Sequence, residues 1–73
     1  MMTLNELKTG ETAKIVRLNS GGAVKRRMMD MGLTSGTEVT VRRIAPLGDP
    51  IELSVRGYEL SIRKDEAANV EVA

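Results

Sequence analysis

The residues with the clearest capacity for chemistry lie between positions 25 and 33, where three methionines and one aspartate occur in the segment KRRMMDMGL. Methionine sulfur is a ligand for soft metal ions, and a carboxylate is a ligand for harder ones. The chain contains no histidine and no cysteine, so the usual ligands of zinc and of ferrous iron are missing. Two interpretations follow, a metal site built from thioethers or a piece of hydrophobic core.

Helical spacing separates these residues into two faces. At about 100° per residue, Val24, Met28 and Met31 share one narrow apolar stripe, whereas Met29 lies about 140° from Val24. Side chains that diverge from an intact helix cannot surround one ion, so the three methionines and Asp30 do not form a chelating site. We therefore assign Met28 and Met31 to the core, where methionine is a common filler of irregular gaps. We predict no metal site and no cofactor.

Met29 is predicted to be exposed, with Lys25, Arg26 and Arg27 around it. A flexible thioether within a basic surface is suited to anchoring a partner protein. The alternative is an isolated surface residue without a role, which is common in soluble proteins. Asp30 lies three and four positions after the two arginines, so salt bridges along the helix are expected.

The elements that must position this helix are strands. Beyond Gly36, apolar residues alternate with polar ones through three segments, which is the period of half-buried strands. Glu11–Leu18 predicts an earlier strand and Val70–Val72 a last one. The chain is thus predicted to be mainly β, a small SH3-like β-barrel of about five strands with one short α-helix, Ala23–Met31, inserted after the first strand. The predicted core residues are Ile15, Val24, Met28, Met31, Leu33, Val39, Val41, Leu53, Val55, Leu60 and Ile62.

Local signals predict where the elements begin and turn. Thr3 and Glu6 have the spacing of a capping box, which predicts one short helical turn from Leu4 to Lys8. Gly32 suits the left-handed position just beyond a helix end. Gly57 predicts a tight hairpin.

Basic residues are concentrated in one part of the chain. Residues 14–43 contain seven Lys or Arg against only Asp30 and Glu38, whereas residues 44–73 contain three against six acidic residues. One basic side would attract an acidic protein surface or a phosphate backbone. A solvated surface with chance clustering of charge is the alternative.

Arg26 and Arg27, together with Arg42 and Arg43, are the candidates for such a patch. Alternation places one residue of the pair Arg42-Arg43 on the apolar side of its strand unless a bulge or the end of the strand intervenes. Barrels that bind RNA usually combine a basic patch with aromatic side chains on which bases stack. Tyr58 is the only aromatic residue, which argues against nucleic acid.

Composition argues against several other functions. Without histidine as a base, and with the carboxylate pair Asp65-Glu66 on a solvated turn, an enzyme is not expected. No uncharged run approaches the roughly 20 residues of a membrane span, and no signal peptide is evident. We expect a single domain over residues 1–73 in the cytoplasm, and the absence of cysteine fits a reducing compartment.

The ordered set of small and apolar residues resembles the FeoA family over nearly the whole chain. The residues that carry the resemblance are Leu4, Leu7, Gly10, Ala13, Ile15, Arg27-Met28, Met31-Gly32-Leu33, Gly36, Val39, Val41, Pro46-Leu47-Gly48-Asp49-Pro50, Gly57, Leu60, Ile62 and Glu66-Ala67. Where the family tends to have leucine on the helix, this chain has Met28 and Met31, a change that keeps volume and apolarity.

The resemblance implies an SH3-like barrel in a small, non-enzymatic cytoplasmic protein that assists FeoB, the membrane ferrous-iron transporter with a GTPase domain. The expected partner is the cytoplasmic domain of such a transporter, and the expected state is a monomer or weak homo-oligomer that contacts the membrane only through that partner. A nucleic-acid-binding barrel is the alternative, and a ferrous-iron carrier is a weaker one. The candidate interface residues are Arg26, Arg27, Met29, Arg42, Arg43 and Leu47.

Overall fold

Six short strands form one antiparallel sheet in the order β1-β6-β2-β3-β4-β5. The computed structural model describes residues 2–73, so Met1, which the predicted domain includes, lies outside the described residues. The strands are β1 (Met2–Thr3), β2 (Thr12–Leu18), β3 (Glu38–Ile44), β4 (Ile51–Val55), β5 (Tyr58–Ile62) and β6 (Val70–Val72). The helices are a 3₁₀ turn (Leu4–Glu6), α1 (Gly22–Asp30) and α2 (Lys64–Ala67).

The five predicted strands and the inserted helix are confirmed, and the sheet contains one strand more than predicted. The additional strand β1 pairs with β6, so that Met2 lies opposite Val72. Two residues carry no periodicity, and their partner lies at the other end of the chain, so no local pattern could indicate this strand. The helix begins and ends one residue earlier than the predicted range Ala23–Met31.

Strand β2 contains a bulge at Val16. Ile15 pairs with Val72 and Arg17 with Glu71, so Val16 is an extra residue without a partner in the ladder. An extra residue reverses which face the following side chains point to. Leu18 therefore packs against the core, whereas Val16 is exposed.

Strand β3 contains an equivalent bulge at Arg42. Val41 pairs with Leu53 and Arg43 with Glu52, so Arg42 is the extra residue. Both arginines are consequently exposed, and Ile44 returns to the inner face, where it packs against the core. The bulge is the exception that the sequence prediction for Arg42-Arg43 allowed.

The core is aliphatic and consists mainly of strand residues, with Leu4 of the 3₁₀ turn, Met28 of α1 and Ala67 of α2 in the same cluster. Eight of the predicted core residues are buried, namely Ile15, Met28, Leu33, Val39, Val41, Leu53, Val55 and Ile62. Met31 and Leu60 are partly buried and pack against this cluster. Seven further apolar residues are also buried, namely Leu4, Leu7, Ala13, Ile51, Ala67, Val70 and Val72.

The prediction of Val24 as a core residue was wrong, since its side chain is 41% exposed. Met28 is the one buried residue within α1. A helical wheel gives the angular position of a side chain but not its distance along the axis from the core. Val24, in the first turn of α1, lines a cavity with Arg63, Asp65 and Glu66 instead, so its angular position on the wheel does not bring it into the core.

The end of α1 confirms the predicted stop signal. Gly32 has a φ of 94°, and its N–H donates to the Met29 carbonyl at 3.0 Å. The N–H of Leu33 donates to the Met28 carbonyl at 3.0 Å, which completes a Schellman motif. Leu33 is thereby folded back into the core.

The other local predictions have mixed outcomes. Gly57 does form a two-residue hairpin, in which Arg56 also has positive φ, at 51°. The turn that follows Thr3 is shorter than predicted, because it is a 3₁₀ turn that ends at Glu6. The Thr3 side chain makes no capping bond to the backbone, since its hydroxyl contacts the side chains of Asn5 and Glu6 instead.

Candidate protein-interaction surface

All six predicted interface residues lie on the surface, at three places in the fold. Arg26, Arg27 and Met29 are on α1, Arg42 and Arg43 are on β3, and Leu47 is in the loop that joins β3 to β4. Surface position alone does not distinguish a binding residue from a solvated one. The contacts of each residue do distinguish them.

The two arginines of β3 form ion pairs with one glutamate of β4 and one of β5. The Nε of Arg42 lies 3.7 Å from a carboxylate oxygen of Glu59 on β5. The Nη1 of Arg43 lies 3.9 Å from a carboxylate oxygen of Glu52 on β4. Each positive charge therefore has an adjacent negative one, which lowers the net field that this face of the sheet presents.

Arg27 forms an ion pair with Glu66 of α2. The same carboxylate accepts the backbone N–H of Arg63 at 2.9 Å. The predicted salt bridge between Asp30 and Arg27 does not form, and the Arg27 guanidinium pairs with Glu66 instead. Within residues 2–73, Asp30 makes no ion pair with Arg26 either. Three of the four arginines predicted to form a basic patch thus have carboxylate partners.

Leu47 is 94% exposed, and the loop that carries it is held at both ends. The N–H of Gly48 donates to the Ala45 carbonyl at 2.7 Å, and the N–H of Ala45 donates to the Pro50 carbonyl at 3.1 Å. Asp49 accepts the backbone N–H of Lys64 at 3.0 Å, which ties the loop to α2. The loop thus presents one aliphatic side chain to solvent from an ordered turn.

Met29 is 47% exposed and lines a groove between β2 and α1, with a volume of about 340 Å³. We call this the β2–α1 groove and define it by its seven residues. Its apolar residues are Val16, Leu18 and Met29, its basic residues are Arg17 and Lys25, and its hydroxyl residues are Thr34 and Ser35. Sequence reasoning identified only Met29 among them as a candidate.

A signal for the groove was present in the sequence. Ala13, Ile15 and Leu18 are spaced by two and then by three positions, which is the spacing of a strand with one extra residue. Such a bulge turns Val16 outward, on the strand that precedes the helix. That Val16 and Met29 line one groove depends on the tertiary arrangement.

Other kinds of site find less support in the structure. No group of three or more Asp, Glu, His or Cys side chains that could hold a metal ion occurs within residues 2–73. A cavity of about 430 Å³ beside Arg27 and Glu66 contains both charge signs, including Asp49 and Arg63. In the part of the chain that the structure describes, no helix is long and apolar enough to cross a membrane.

The family model described as the FeoA domain matches residues 2–73 of this chain. The chain belongs to the FeoA family. It is 41% identical over 71 residues to the "Fe(2+) transport protein A/Fe(2+) transporter FeoB fusion protein" of Porphyromonas gingivalis. The alignment covers 97% of this chain and 8% of the fusion protein, so this chain corresponds to a small part of that relative.

Solved FeoA structures share the fold. The solution structure of the FeoA protein from Chlorobium tepidum has a TM-score of 0.92 and 45% identity, and covers 97% of this chain and 68% of that one. The Stenotrophomonas maltophilia FeoA, solved with zinc and described as a prokaryotic SH3 domain protein, has a TM-score of 0.87 and 28% identity. That match covers 100% of this chain and 91% of the other. The predicted SH3-like fold is confirmed.

Proposed function

We propose that this FeoA-family chain is a non-enzymatic accessory protein of ferrous iron uptake, and that it acts in the cytoplasm by binding the GTPase-bearing cytoplasmic part of a FeoB-type transporter. The observation that carries the proposal is the fusion protein of Porphyromonas gingivalis, whose name joins transport protein A to FeoB and which aligns with 97% of this chain. A covalent link raises the effective concentration of two parts for one another. Such a link is useful where the two parts act together.

Two exposed features support a docking role. Leu47 presents an aliphatic side chain from an anchored loop, and an exposed apolar side chain of this kind gains free energy when a partner covers it. Met29 and Arg26 lie on the outer face of α1. Arg26 makes no ion pair within the described part of the chain, so its charge is available to an acidic partner.

Arg27, Arg42 and Arg43 have a smaller part in this proposal, because each would have to leave a glutamate to contact a partner. Exposed ion pairs are weak, on the order of 1 kcal/mol or less, so such an exchange is feasible but gives little net affinity. The docking residues that we propose are therefore Leu47, Met29 and Arg26.

The test is a binding titration between the purified chain and the purified cytoplasmic domain of a FeoB-type transporter. We expect Leu47→Asp and Arg26→Glu each to weaken binding by about tenfold, the loss typical of an interface anchor. Lys8→Glu, a charge reversal at an exposed position outside these features, is the matched control and leaves affinity unchanged. The proposal is wrong if the unmodified chain does not bind the domain, or if deletion of its gene leaves ferrous uptake unchanged.

A further inference from the structure

The β2–α1 groove brings two exposed apolar side chains, Val16 and Met29, to one concave surface. Val16 is 37% exposed and Met29 is 47% exposed, and the half-buried Leu18 lines the groove with them. Exposed apolar side chains that are grouped in a groove, with polar residues around them, are typical of protein contact sites. The bulge in β2 is what places Val16 there.

The charge of the groove has one sign. Lys25 and Arg17 line it, and none of its seven lining residues is acidic. The Arg17 guanidinium is 3.4 Å from Glu71 but remains 62% exposed, whereas Lys25 makes no ion pair with any described residue. A partner segment that brings carboxylates to these two side chains is complementary in charge.

Both walls of the groove are held in place by hydrogen bonds. On one side, the hydroxyl of Ser35 donates to the Val16 carbonyl at 3.1 Å, and the N–H of Gly36 donates to the Ile15 carbonyl at 2.7 Å. On the other side, the Tyr58 hydroxyl donates to the Met31 carbonyl at the end of α1. A site that is formed before binding loses less conformational entropy when it is occupied.

We propose that the β2–α1 groove binds an acidic, amphipathic peptide segment, with an aliphatic side chain between Val16 and Met29 and carboxylates beside Lys25 and Arg17. The chemistry of the segment follows from the groove itself. Its assignment to a segment of the FeoB-type transporter rests on the proposed function. The experiment therefore has two parts, which separate the chemistry from the partner.

The first part measures backbone amide shifts of the isotopically labelled full chain by NMR during titration with a short synthetic peptide in which glutamate and leucine alternate. We expect the shifts to concentrate at Val16, Leu18, Lys25 and Met29. A matched peptide with lysine in place of glutamate should cause none. Equal shifts with both peptides, no shifts, or shifts at another surface overturn the proposal. Shifts of the same residues when the chain alone is concentrated would identify a second copy as the occupant and also overturn it.

Variants separate apolar from charged recognition. Met29→Ser should weaken binding of the acidic peptide by about tenfold, whereas Val24→Ser, which changes a similarly exposed residue of the same helix outside the groove, should not. Lys25→Glu should abolish binding, with Lys8→Glu as the matched control. All four positions are exposed, so folding is retained. Equal losses of peptide affinity in a variant and its control would refute the proposal that the peptide binds in the groove.

The second part repeats the four variants with the transporter's cytoplasmic domain. Loss of binding only in Met29→Ser and Lys25→Glu supports the full proposal. If the domain binds all four variants equally, the domain does not use this groove and Met29 is not a docking residue. The assignment of a transporter segment to the groove is then wrong, while the proposed binding of the domain through Leu47 and Arg26 stands. If the acidic peptide binds and the domain does not, the proposed function is wrong and the chemistry of the groove stands.

Discussion

The Tyr58 hydroxyl lies against the backbone of Gly32, so that a Cβ atom built on this glycine would be 2.6 Å from the hydroxyl oxygen. The same hydroxyl donates a hydrogen bond to the Met31 carbonyl. The hairpin between β4 and β5 thus touches the end of α1 at a point where an added Cβ would have to displace the Tyr58 hydroxyl.

Gly32→Ala should therefore destabilise the fold through two separable effects. The positive φ costs about 1–2 kcal/mol in a residue with a Cβ, and displacement of the Tyr58 hydroxyl adds a further cost. Gly36→Ala isolates the first effect, since Gly36 has a φ of 86° and no heavy atom within 4 Å of the added Cβ.

Urea unfolding of these variants, alone and combined with Tyr58→Phe, gives the coupling between the two residues. We expect the cost of Gly32→Ala to fall to that of Gly36→Ala in the Phe background, because the hydroxyl is absent there. Equal costs of Gly32→Ala in both backgrounds would show that the contact has no energetic effect.

The methionines of α1 should differ in their effect on stability. Met28 is fully buried, so Met28→Ala should lower the free energy of unfolding by about 2–5 kcal/mol. Met29→Ala should change it by about 0.5 kcal/mol or less, as is usual at the surface. Chemical denaturation of the two variants measures the difference, and comparable losses would contradict the assignment of the two side chains to different faces.

Glu66 should contribute more to stability than the Arg27 side chain that it binds. Glu66→Ala removes both the ion pair and the acceptor for the Arg63 N–H, and we expect a loss of about 1–2 kcal/mol. Arg27→Ala removes only the pair, in which the arginine is 52% exposed, and should cost less than about 1 kcal/mol. Thermal or urea unfolding measures the loss of stability in each variant. A larger loss from Arg27→Ala than from Glu66→Ala would contradict the prediction.

The chain should show no salt-dependent affinity for RNA or DNA. Arg42 and Arg43 are paired with glutamates, and Tyr58 is the only aromatic residue available for stacking. Fluorescence anisotropy with a labelled oligonucleotide at low ionic strength measures this directly. An affinity that falls linearly with the logarithm of salt concentration, as counterion release requires, would contradict the prediction and restore the nucleic-acid alternative.

Features that depend on neighbouring residues were predictable from the sequence. The helix stop at Gly32 and the hairpin at Gly57 follow from backbone conformations that glycine adopts easily. The strands follow from alternation along a few residues. The separation of Met28 from Met29 likewise needs only the angular spacing of a helix.

Features that depend on contacts between distant residues were decided by the tertiary structure. Val24 has the angular position of a core residue, yet its side chain is 41% exposed and lines a cavity beside α2. Strand β1 exists because β6, from the other end of the chain, lies beside it. Arg27 forms its ion pair with Glu66, 39 positions later in the sequence, rather than with Asp30 of its own helix.

The methionine-rich segment shows both kinds of information. Its residue types and spacing predict that no single metal ion is surrounded from an intact helix, since adjacent helical side chains diverge. The β2–α1 groove exists because the bulge in β2 and the position of α1 put Val16 and Met29 along one surface. Two residues 13 positions apart in sequence share a groove only once the long-range packing of strand and helix has formed, and no local spacing encodes that packing.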